Sequence, residues 1–438
     1  MTGAHLIVPP PERQLPKFGA ATPGFAARRP DRAAQATLLA GFGYDSVMIS
    51  RHSLLMLAVL ALLGPACAQT PINADTPSIL FWKGPRQATG FRRIEKIYKT
   101  HVIRRGTHIH PLPVATAQIA PTFEYRGKRW TVDSYMKAYR VSGLLAIKDG
   151  DIVLERYGLG RAPKDRWTSF SVAKSLTSTL VGAAIQDGKI RSLDSPVTDY
   201  IPELQGSAYE GVNVRQMLTM SSGVSWNEDY KDPHSDVAQA GFNAVAAGED
   251  PMVNYLSKLP RANPPGSKFN YNTGETDLVG ILVSNAVGMT LSEYASEKIW
   301  KPYGMEQDGA WVTDRADRER GGCCISMTLR DYGRVGEFIL GGGKAAGRQV
   351  VPANWVPEAT RVQIDYGAPE PGGYGYFWWI TSPERFSAIG IFGQAIAIFP
   401  KEHLVIVQNA AWPDAVGDEL EAAEDALIEA VRKAAAAH

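Results

Sequence analysis

Apolar residues recur along this chain with two different periods, and the period changes twice. Residues 141–157 contain two short apolar runs on either side of Asp149-Gly150, which predicts an antiparallel hairpin. The last third of the chain returns to short β-branched and aromatic runs. These predict strands at 374–380, 387–399 and 404–408, with a turn at 400–403.

Between these strands the spacing of apolar residues is helical. Positions three and four residues apart predict a long helix from about residue 171 to 186, which Asp187-Gly188 ends. The same spacing predicts further helices at 214–220, 277–287, 291–299, 328–340 and 417–436. Most of the predicted helices therefore lie in the middle of the chain.

The order of the elements predicts an α+β fold, an antiparallel sheet flanked by helices with a helical domain inserted into it. We expect the sheet domain to comprise residues 101–174 and 346–438, and the mainly helical domain residues 175–345. Residues 69–100 are interpreted as a linker.

Composition and charge narrow the possible partners. The formal net charge is +1, with 46 Lys and Arg against 45 Asp and Glu. We therefore expect no nucleic-acid partner. No C-x-x-C or H-E-x-x-H pattern predicts a metal site, and no phosphate-binding glycine loop predicts a cofactor. Because adjacent cysteines rarely form a disulfide, Cys323 and Cys324 are expected to be two small buried thiols.

The start of the long helix carries the strongest chemical candidate. Ser171 and Lys174 lie one turn apart on one face, so the amine can reach the hydroxyl. A serine hydroxyl needs a base, and burial together with the positive end of a helix lowers the pKa of a lysine. The backbone N–H of Ser171 would point at a developing oxyanion. Ser134 and Lys137 have the same spacing, but only Ser171 begins a long helix rich in small residues.

Two further motifs accompany this pair. Tyr271 lies 100 residues after Ser171, and a phenol beside an ammonium can relay protons. Residues 390–394, Gly-Ile-Phe-Gly-Gln, fall on a predicted strand. There Gly393 would let a substrate approach the backbone, and the N–H of Gln394 would be a second oxyanion donor. Purely structural roles, a tyrosine before a helix and a glycine that relieves crowding in a sheet, remain open.

Together these motifs resemble the serine β-lactamase and penicillin-binding superfamily. The resemblance is strongest to its class C-like branch, and within it to the 6-aminohexanoate-dimer hydrolases and related esterases. It covers roughly residues 120–435 and includes the stretches 226–230, 275–280, 328–331 and 374–379. The resemblance implies a β-lactamase-like fold and a hydrolase that works through an acyl-enzyme.

Carried over by residue, the resemblance implies that Ser171 is the acylated nucleophile and that Lys174 and Tyr271 are the base and the proton relay. Gly393 and Gln394 take the place of the oxyanion strand. Tyr230 matches a loop tyrosine that contacts substrate, although an exposed loop aromatic is an equally good interpretation of it.

Two departures from the family pattern bear on the substrate. Residues 271–273 read Tyr-Asn-Thr where class C β-lactamases have Tyr-x-Asn. Ile391-Phe392-Gly393 stands where the family has Lys-Thr-Gly, so the groups that would hold a β-lactam carboxylate are missing. An apolar pair there suits a linear amide or ester.

We therefore expect a serine hydrolase of small linear amides or esters that needs no cofactor. A β-lactamase or D-Ala peptidase of the penicillin-recognising type is one alternative, and a non-catalytic binding or sensory protein is another. A Ser-His-Asp hydrolase is less favoured, because no G-x-S-x-G is present and the best candidate base, His234, lies in a loop without an evident partner.

A secretory signal is predicted near the N-terminus. Basic residues precede a short apolar run at 54–63, and an A-x-A cleavage site follows at 66–68. The run is shorter than the ~20 residues of a membrane-spanning helix. We therefore expect residues 48–68 to be a signal peptide, residues 1–47 to be an over-extended start, and the protein to be periplasmic or secreted without stable membrane insertion.

N-terminal sequencing of the exported protein tests this expectation. Cleavage after Ala68 predicts that the mature chain begins at Gln69. A mature chain that retains residues 1–47 would contradict both the start at Met48 and the signal peptide.

Overall fold

Residues 78–367 and 372–438 are described by the computed structural model, and all of them belong to one compact unit. The predicted extension 1–47, the predicted signal peptide 48–68 and the first residues of the predicted linker lie outside these ranges. Among these residues no single helix is long and apolar enough to cross a membrane. Two consecutive helices, bent by 75° relative to each other, together have the required length and composition.

The longest strands come from the two ends of the described chain. The strands are β1 (Thr100–Ile103), β2 (Thr122–Tyr125), β3 (Lys128–Thr131), β4 (Val141–Lys148), β5 (Asp151–Tyr157), β6 (Trp167–Thr168), β7 (Gly309–Val312), β8 (Ile325–Met327), β9 (Lys344–Ala345), β10 (Arg348–Gln349), β11 (Gly373–Tyr374), β12 (Trp379–Ser382), β13 (Arg385–Gly390), β14 (Gln394–Phe399) and β15 (Leu404–Ala410).

Most helices lie between these strands. They are α1 (Gly84–Arg92), α2 (Val132–Ala138), α3 (Val172–Gln186), α4 (Val214–Leu218), α5 (Asp236–Gln239), α6 (Pro251–Leu256), α7 (Thr273–Val287), α8 (Leu291–Ala295), α9 (Leu329–Leu340), α10 (Trp355–Ala359) and α11 (Asp418–Ala436). A π-type segment, Ser296–Gly304, continues α8. Short 3-10 turns occur at Ile79–Phe81, Ile94–Lys96, Val197–Asp199, Pro202–Leu204 and Pro400–Glu402.

A seven-stranded antiparallel sheet organises the described residues, in the order β11-β12-β13-β14-β15-β4-β5. The predicted hairpin is confirmed as β4 and β5. Strand β15 pairs with β4, so strands from both ends of the chain form one sheet. The α+β fold predicted from the order of the elements is therefore confirmed.

Both faces of this sheet are buried, because alternate residues of its central strands face opposite sides. Ile396 and Ile398 face the core that α3 and α9 complete, whereas Ala397 and Phe399 face the core that α11 completes. Burial on both sides explains why residues 395–399 are apolar without interruption.

A smaller antiparallel sheet, in the order β1-β7-β8-β6, joins the N-terminal segment to the helical region. Strand β1 pairs with β7, and β6 pairs with β8. Since β6 ends shortly before Ser171, this sheet fixes the approach of the chain to the predicted nucleophile.

The prediction of a single strand at 387–399 is wrong, and the difference matters for function. It is two strands, β13 and β14, which pair with each other so that Gly390 lies opposite Gln394. Phe392 and Gly393 turn the chain with φ angles of 62° and 82°. Because the turn residues are apolar and buried like the strands around them, the hydrophobic pattern gives no sign of the turn. The strand predicted at 374–380 is likewise divided, into β11 and β12, by Phe377 with a φ of 60°.

The interpretation of residues 69–100 as a linker is corrected over its second half. Residues 79–97 form short turns and α1, and they bury Trp82, Phe91 and Ile94. Helix α1 contains two glycines and a proline, which are poor helix formers. Its helical structure therefore depends on packing, notably of the Phe91 ring against that of Phe170, with ring centroids 4.8 Å apart.

Candidate active site

Ser171 lies immediately before α3, where the second sheet ends. The N–H of Ser169 donates to the carbonyl of Ile325 (2.8 Å), and its Oγ accepts from the N–H of Ile325 (2.9 Å). Phe170 then adopts a φ of 45°, a region that bulky residues rarely occupy. The chain turns sharply there, and the N–H of Ser171 has no hydrogen-bond acceptor among the described residues. It is available to an oxyanion.

Lys174 follows one turn later and is only 1% exposed. Its Nζ lies 2.9 Å from Ser171 Oγ, 3.0 Å from Thr273 Oγ1 and 2.9 Å from the carbonyl oxygen of Gly322. A carbonyl only accepts, and the Thr273 hydroxyl donates its own proton to Glu228. Both groups therefore take protons from the amine. A neutral amine has two protons and one lone pair, so the lone pair is left for the proton of Ser171.

Burial favours this neutral form. Desolvation lowers the pKa of the Lys174 ammonium, the charges of Glu228 and Asp277 oppose this shift, and the charge of Arg320 adds to it, so that the resulting pKa is about 8. A substantial fraction of the amine is thus neutral near pH 8, as a general base requires.

Glu228 accepts hydrogen bonds from several polar groups beside Lys174. Its carboxylate accepts from Tyr230 OH at 2.8 Å and from the N–H of Thr273 at 3.0 Å. It also accepts hydrogen bonds from Thr273 Oγ1 and from Trp226 Nε1. These contacts tie the loop that carries Glu228 to the start of α7, and they place a carboxylate one hydroxyl away from the amine.

The carbonyl of Gly322 is held in place from α7. Asp277 Oδ1 accepts from the N–H of Gly322 (2.9 Å), and its Oδ2 accepts from Arg320 Nε (2.8 Å). A Cβ at Gly321 would come within 2.4 Å of the carbonyl of Thr276, so only glycine permits this approach of the loop to the helix. The loop that holds Lys174 is therefore built on α7.

Tyr271 lies over the same amine. Lys174 Nζ is 5.0 Å from the centroid of its ring. Burial and the charge of Glu228 raise the pKa of the Tyr271 phenol, and a hydrogen bond with Ser171 opposes the rise. The phenol is thus protonated where Lys174 is already partly neutral, which suits Tyr271 as a proton donor rather than as the first base.

The prediction for Gly393 and Gln394 is corrected. A Cβ at Gly393 would meet the ring of Trp412 at 2.5 Å, and neither residue lines the cleft at Ser171. The side chain of Gln394 is fully buried, donating to backbone carbonyls and accepting from Trp167 Nε1. Gly393 lies in the turn between β13 and β14 and Gln394 follows that turn, and the roles of both residues are structural.

Gly390 and Ile391, three residues before the predicted pair, are the residues that lie beside the nucleophile. A Cβ at Gly390 would lie 3.0 Å from the backbone nitrogen of Ser171 and 2.6 Å from the carbonyl oxygen of Ser169. Ile391 lines the cleft together with Ser171, and its N–H has no acceptor among the described residues. The N–H groups of Ser171 and Ile391 are therefore the two candidate oxyanion donors.

A cleft of about 530 Å³ opens onto Ser171, within the range of small-molecule sites. Tyr230 lies on its wall, as predicted for a substrate contact, and is half-buried rather than exposed. Much of the opposite wall is apolar and comes from the segment interpreted as a linker. Its residues on the cleft include Ile79, Leu80, Ile94 and Ile97.

Cys323 and Cys324 also line the cleft, and the expectation of two separate thiols is corrected. Their sulfur atoms are joined in a disulfide. Cys324 has a left-handed φ of 78°, so the backbone bends at the pair instead of sending its side chains to opposite sides.

The rival serine and the rival base lie elsewhere. Ser134 is exposed at the start of α2, where its Oγ accepts from the N–H of Thr131 (2.9 Å) and caps the helix. His234 is exposed and does not line the cleft. Neither residue contacts the groups around Lys174.

Several contributors to the site were not singled out in the sequence. Thr273 is the third residue of Tyr-Asn-Thr, and Glu228 lies in the stretch that carried the resemblance, so both had a signal that went unused. Gly322 acts through its carbonyl and Ile391 through its N–H. Every residue type supplies those groups, so the sequence alone does not mark them.

Comparison with known proteins agrees with this geometry. The family model "Beta-lactamase" matches residues 129–429. The 6-aminohexanoate-dimer hydrolase of Paenarthrobacter ureafaciens is 33% identical over 363 residues, which cover 78% of this chain and 90% of that protein.

Solved structures have a similar fold at lower identity. A putative 6-aminohexanoate-dimer hydrolase from Bacillus anthracis superposes with a TM-score of 0.72 at 22% identity, over 80% of this chain and 94% of its own. A family VIII carboxylesterase superposes with a TM-score of 0.54 at 17% identity, over 69% of this chain and 95% of its own. The β-lactamase-like fold is thereby confirmed.

Gly390, the last residue of β13, and Gly393, in the turn that follows, provide a test of the corrected oxyanion strand. Gly390→Ala places a methyl group against the backbone of the nucleophile and moves the strand away, so we expect kcat/KM to fall by roughly a hundredfold. Gly393→Ala disturbs a packed, left-handed turn, so we expect a lower free energy of unfolding and a smaller change in the kcat/KM of the folded protein.

Steady-state kinetics and denaturant unfolding of both variants make the comparison. Gly417→Ala is the control, because its Cβ would meet only an ordinary contact at 3.6 Å. If Gly393→Ala loses turnover while Gly390→Ala keeps it, the assignment of Ile391 as the second donor is wrong.

Proposed function

The chain belongs to the beta-lactamase family, and from this premise we propose that it hydrolyses linear amides or esters through an acyl-enzyme on Ser171. The 33% identity to a 6-aminohexanoate-dimer hydrolase and the family match indicate a serine amide or ester hydrolase. The observation that carries the proposal is the contact of the buried Lys174 Nζ with Ser171 Oγ.

Acylation begins with neutral Lys174. Ser171 Oγ attacks the substrate carbonyl carbon and passes its proton to Lys174, and the carbonyl oxygen becomes an oxyanion facing the N–H groups of Ser171 and Ile391. Collapse of this tetrahedral intermediate breaks the bond to the leaving amine or alcohol.

Tyr271 supplies the proton that the leaving group needs and recovers one from Lys174. Its raised pKa keeps the phenol protonated, and its ring lies over the amine, so it can act as a relay. In the second half-reaction water attacks the ester carbonyl on Ser171 and gives a proton to Lys174. Collapse of the second tetrahedral intermediate breaks the bond to Ser171 Oγ, which takes that proton back from Lys174 as the acid is released.

A linear substrate is supported by the residues before the oxyanion strand. With Gly390 as the glycine of the oxyanion strand, Ala388 and Ile389 occupy the two positions where the family has Lys-Thr. Neither side chain carries the cation or hydroxyl that would hold a β-lactam carboxylate. The apolar wall of the cleft also favours a linear substrate. The named relative acts on a 6-aminohexanoate dimer, and we extend to this chain only the class of linear amide or ester.

We further propose that the enzyme acts outside the cytoplasm. The support is the basic stretch, apolar run and cleavage site at residues 48–68. A periplasmic or secreted location would bring small amide or ester substrates to it without transport into the cell.

Hydrolysis of p-nitrophenyl butyrate by the wild type and by Ser171→Ala tests the nucleophile. We expect Ser171→Ala to lower kcat by at least a thousandfold, because the other hydroxyl in contact with Lys174, that of Thr273, already donates its proton to Glu228. A fluorophosphonate probe followed by mass spectrometry should modify Ser171 in the wild type.

Ser134→Ala is the matched control, since Ser134 has the same spacing to a lysine but caps a surface helix. It should retain full activity. Equal activity of Ser171→Ala and the wild type, or a probe adduct on Ser134, would exclude the proposed mechanism. Turnover of nitrocefin that exceeds the turnover of linear amides and esters would favour the β-lactam alternative.

A further inference from the structure

We infer that the acyl part of the substrate is a linear apolar chain ending in a carboxylate, with the carboxylate bound by Arg315, which lines the same cleft as Ser171. This inference rests on the proposed function and specifies the substrate of the same site. It is carried by the charges on the wall of the cleft.

The cleft receives the acyl part rather than the leaving group. Ser171, Phe170 and Ile391 line it, whereas Tyr271 does not. Tyr271 is the group that gives a proton to the departing amine or alcohol, so the leaving group lies on the Tyr271 side. The portion of the substrate that stays on Ser171 therefore extends into the cleft.

The wall beyond Ser171 is suited to an alkyl chain. It is formed by aliphatic side chains from the N-terminal segment and by Val312 of β7. Burying each methylene of an alkyl chain against such a surface removes it from water and stabilises binding. A short polar acyl group would leave this surface uncovered.

Charged residues also line this cleft, and most of them already have partners. Lys99 pairs with Asp317 (2.7 Å), and Arg320 pairs with Asp277 (2.8 Å). Both cations are thus compensated.

Asp314 is the acidic residue on the same wall, and its carboxylate accepts hydrogen bonds from backbone N–H groups of its own turn. Its Oδ1 accepts from the N–H groups of Ala316 (2.9 Å) and Arg318 (3.0 Å). Burial raises its pKa, and the hydrogen bond from the Arg318 backbone opposes that rise. Asp314 forms no ion pair with Arg315 among the described residues.

Arg315 is the cation on the wall that has no carboxylate partner among the described residues. Its Nη1 donates to the carbonyl of Phe242 (3.2 Å), and its guanidinium lies 5.4 Å from the centroid of the Phe242 ring. These two contacts orient the guanidinium and leave most of its N–H donors unused. A guanidinium in this state matches the paired acceptors of a carboxylate.

Matched pairs of esters test the inference. The p-nitrophenyl monoesters of adipic and suberic acid carry the terminal carboxylate, and the p-nitrophenyl esters of hexanoic and octanoic acid lack it. For Arg315→Gln we expect kcat/KM for the monoesters to fall about tenfold, and kcat/KM for the uncharged esters to stay within about twofold.

Two controls separate a specific contact from a general loss of charge or fold. Arg318→Gln removes a cation three residues away that pairs with Asp250 and does not line the cleft, so it should leave both series unchanged. Arg315→Lys should restore part of the preference. Raising the salt concentration should weaken turnover of the monoesters by the wild type more than by Arg315→Gln.

The outcomes distinguish this inference from the proposed function. If Ser171-dependent hydrolysis of the uncharged esters is present but Arg315→Gln slows both series equally or neither, the carboxylate site is refuted and the hydrolase stands. If the wild type hydrolyses no ester in either series, the ester reaction is refuted and the inference falls with it.

Discussion

The site depends on the burial of one lysine. Taking an ammonium out of water costs free energy, and this cost shifts Lys174 towards its neutral form, with a pKa of about 8. Two acceptors then take the two protons of the amine, and the remaining lone pair faces Ser171. Chemistry and folding are thus linked, because the same burial that excludes water from the core creates the base.

The rest of the fold holds the partners of that amine. Helix α3 carries Ser171 and Lys174, and α7, packed against it, carries Thr273 at its start. Asp277, one turn further along α7, fixes the loop whose carbonyl completes the set. The sheet then brings Gly390 against the backbone of the nucleophile. Four segments far apart in the sequence therefore meet, either within hydrogen-bonding distance of Lys174 Nζ or beside Ser171.

The sequence predicted those parts of the structure that follow from side-chain type and period. The hairpin at Asp149-Gly150, the long helix after Ser171 and the α+β order were all readable from it. Tyr271 was recognisable because only a few residue types can relay a proton.

Three features could not be predicted from side-chain type and period. The turn at Phe392-Gly393 is as buried and apolar as the strands it joins, so periodicity placed the oxyanion strand three residues too late. Helix α1 has poor intrinsic propensity and is stabilised by rings from other elements, so the segment that contains it, whose flanking residues line the cleft, was interpreted as a linker. The roles of backbone groups, such as the carbonyl of Gly322, cannot be predicted from residue type, because every residue has these groups.

The dependence of kcat/KM on pH tests the central claim most directly, with p-nitrophenyl butyrate as substrate. A neutral Lys174 as base predicts that kcat/KM rises with pH and levels off, with a midpoint near 8. Because the charge of Glu228 raises the pKa of Lys174, Glu228→Gln should move the midpoint to lower pH, whatever it does to the maximum rate. A profile without a midpoint in this region, or a midpoint that moves to higher pH in Glu228→Gln, would contradict the assignment of Lys174 as the base.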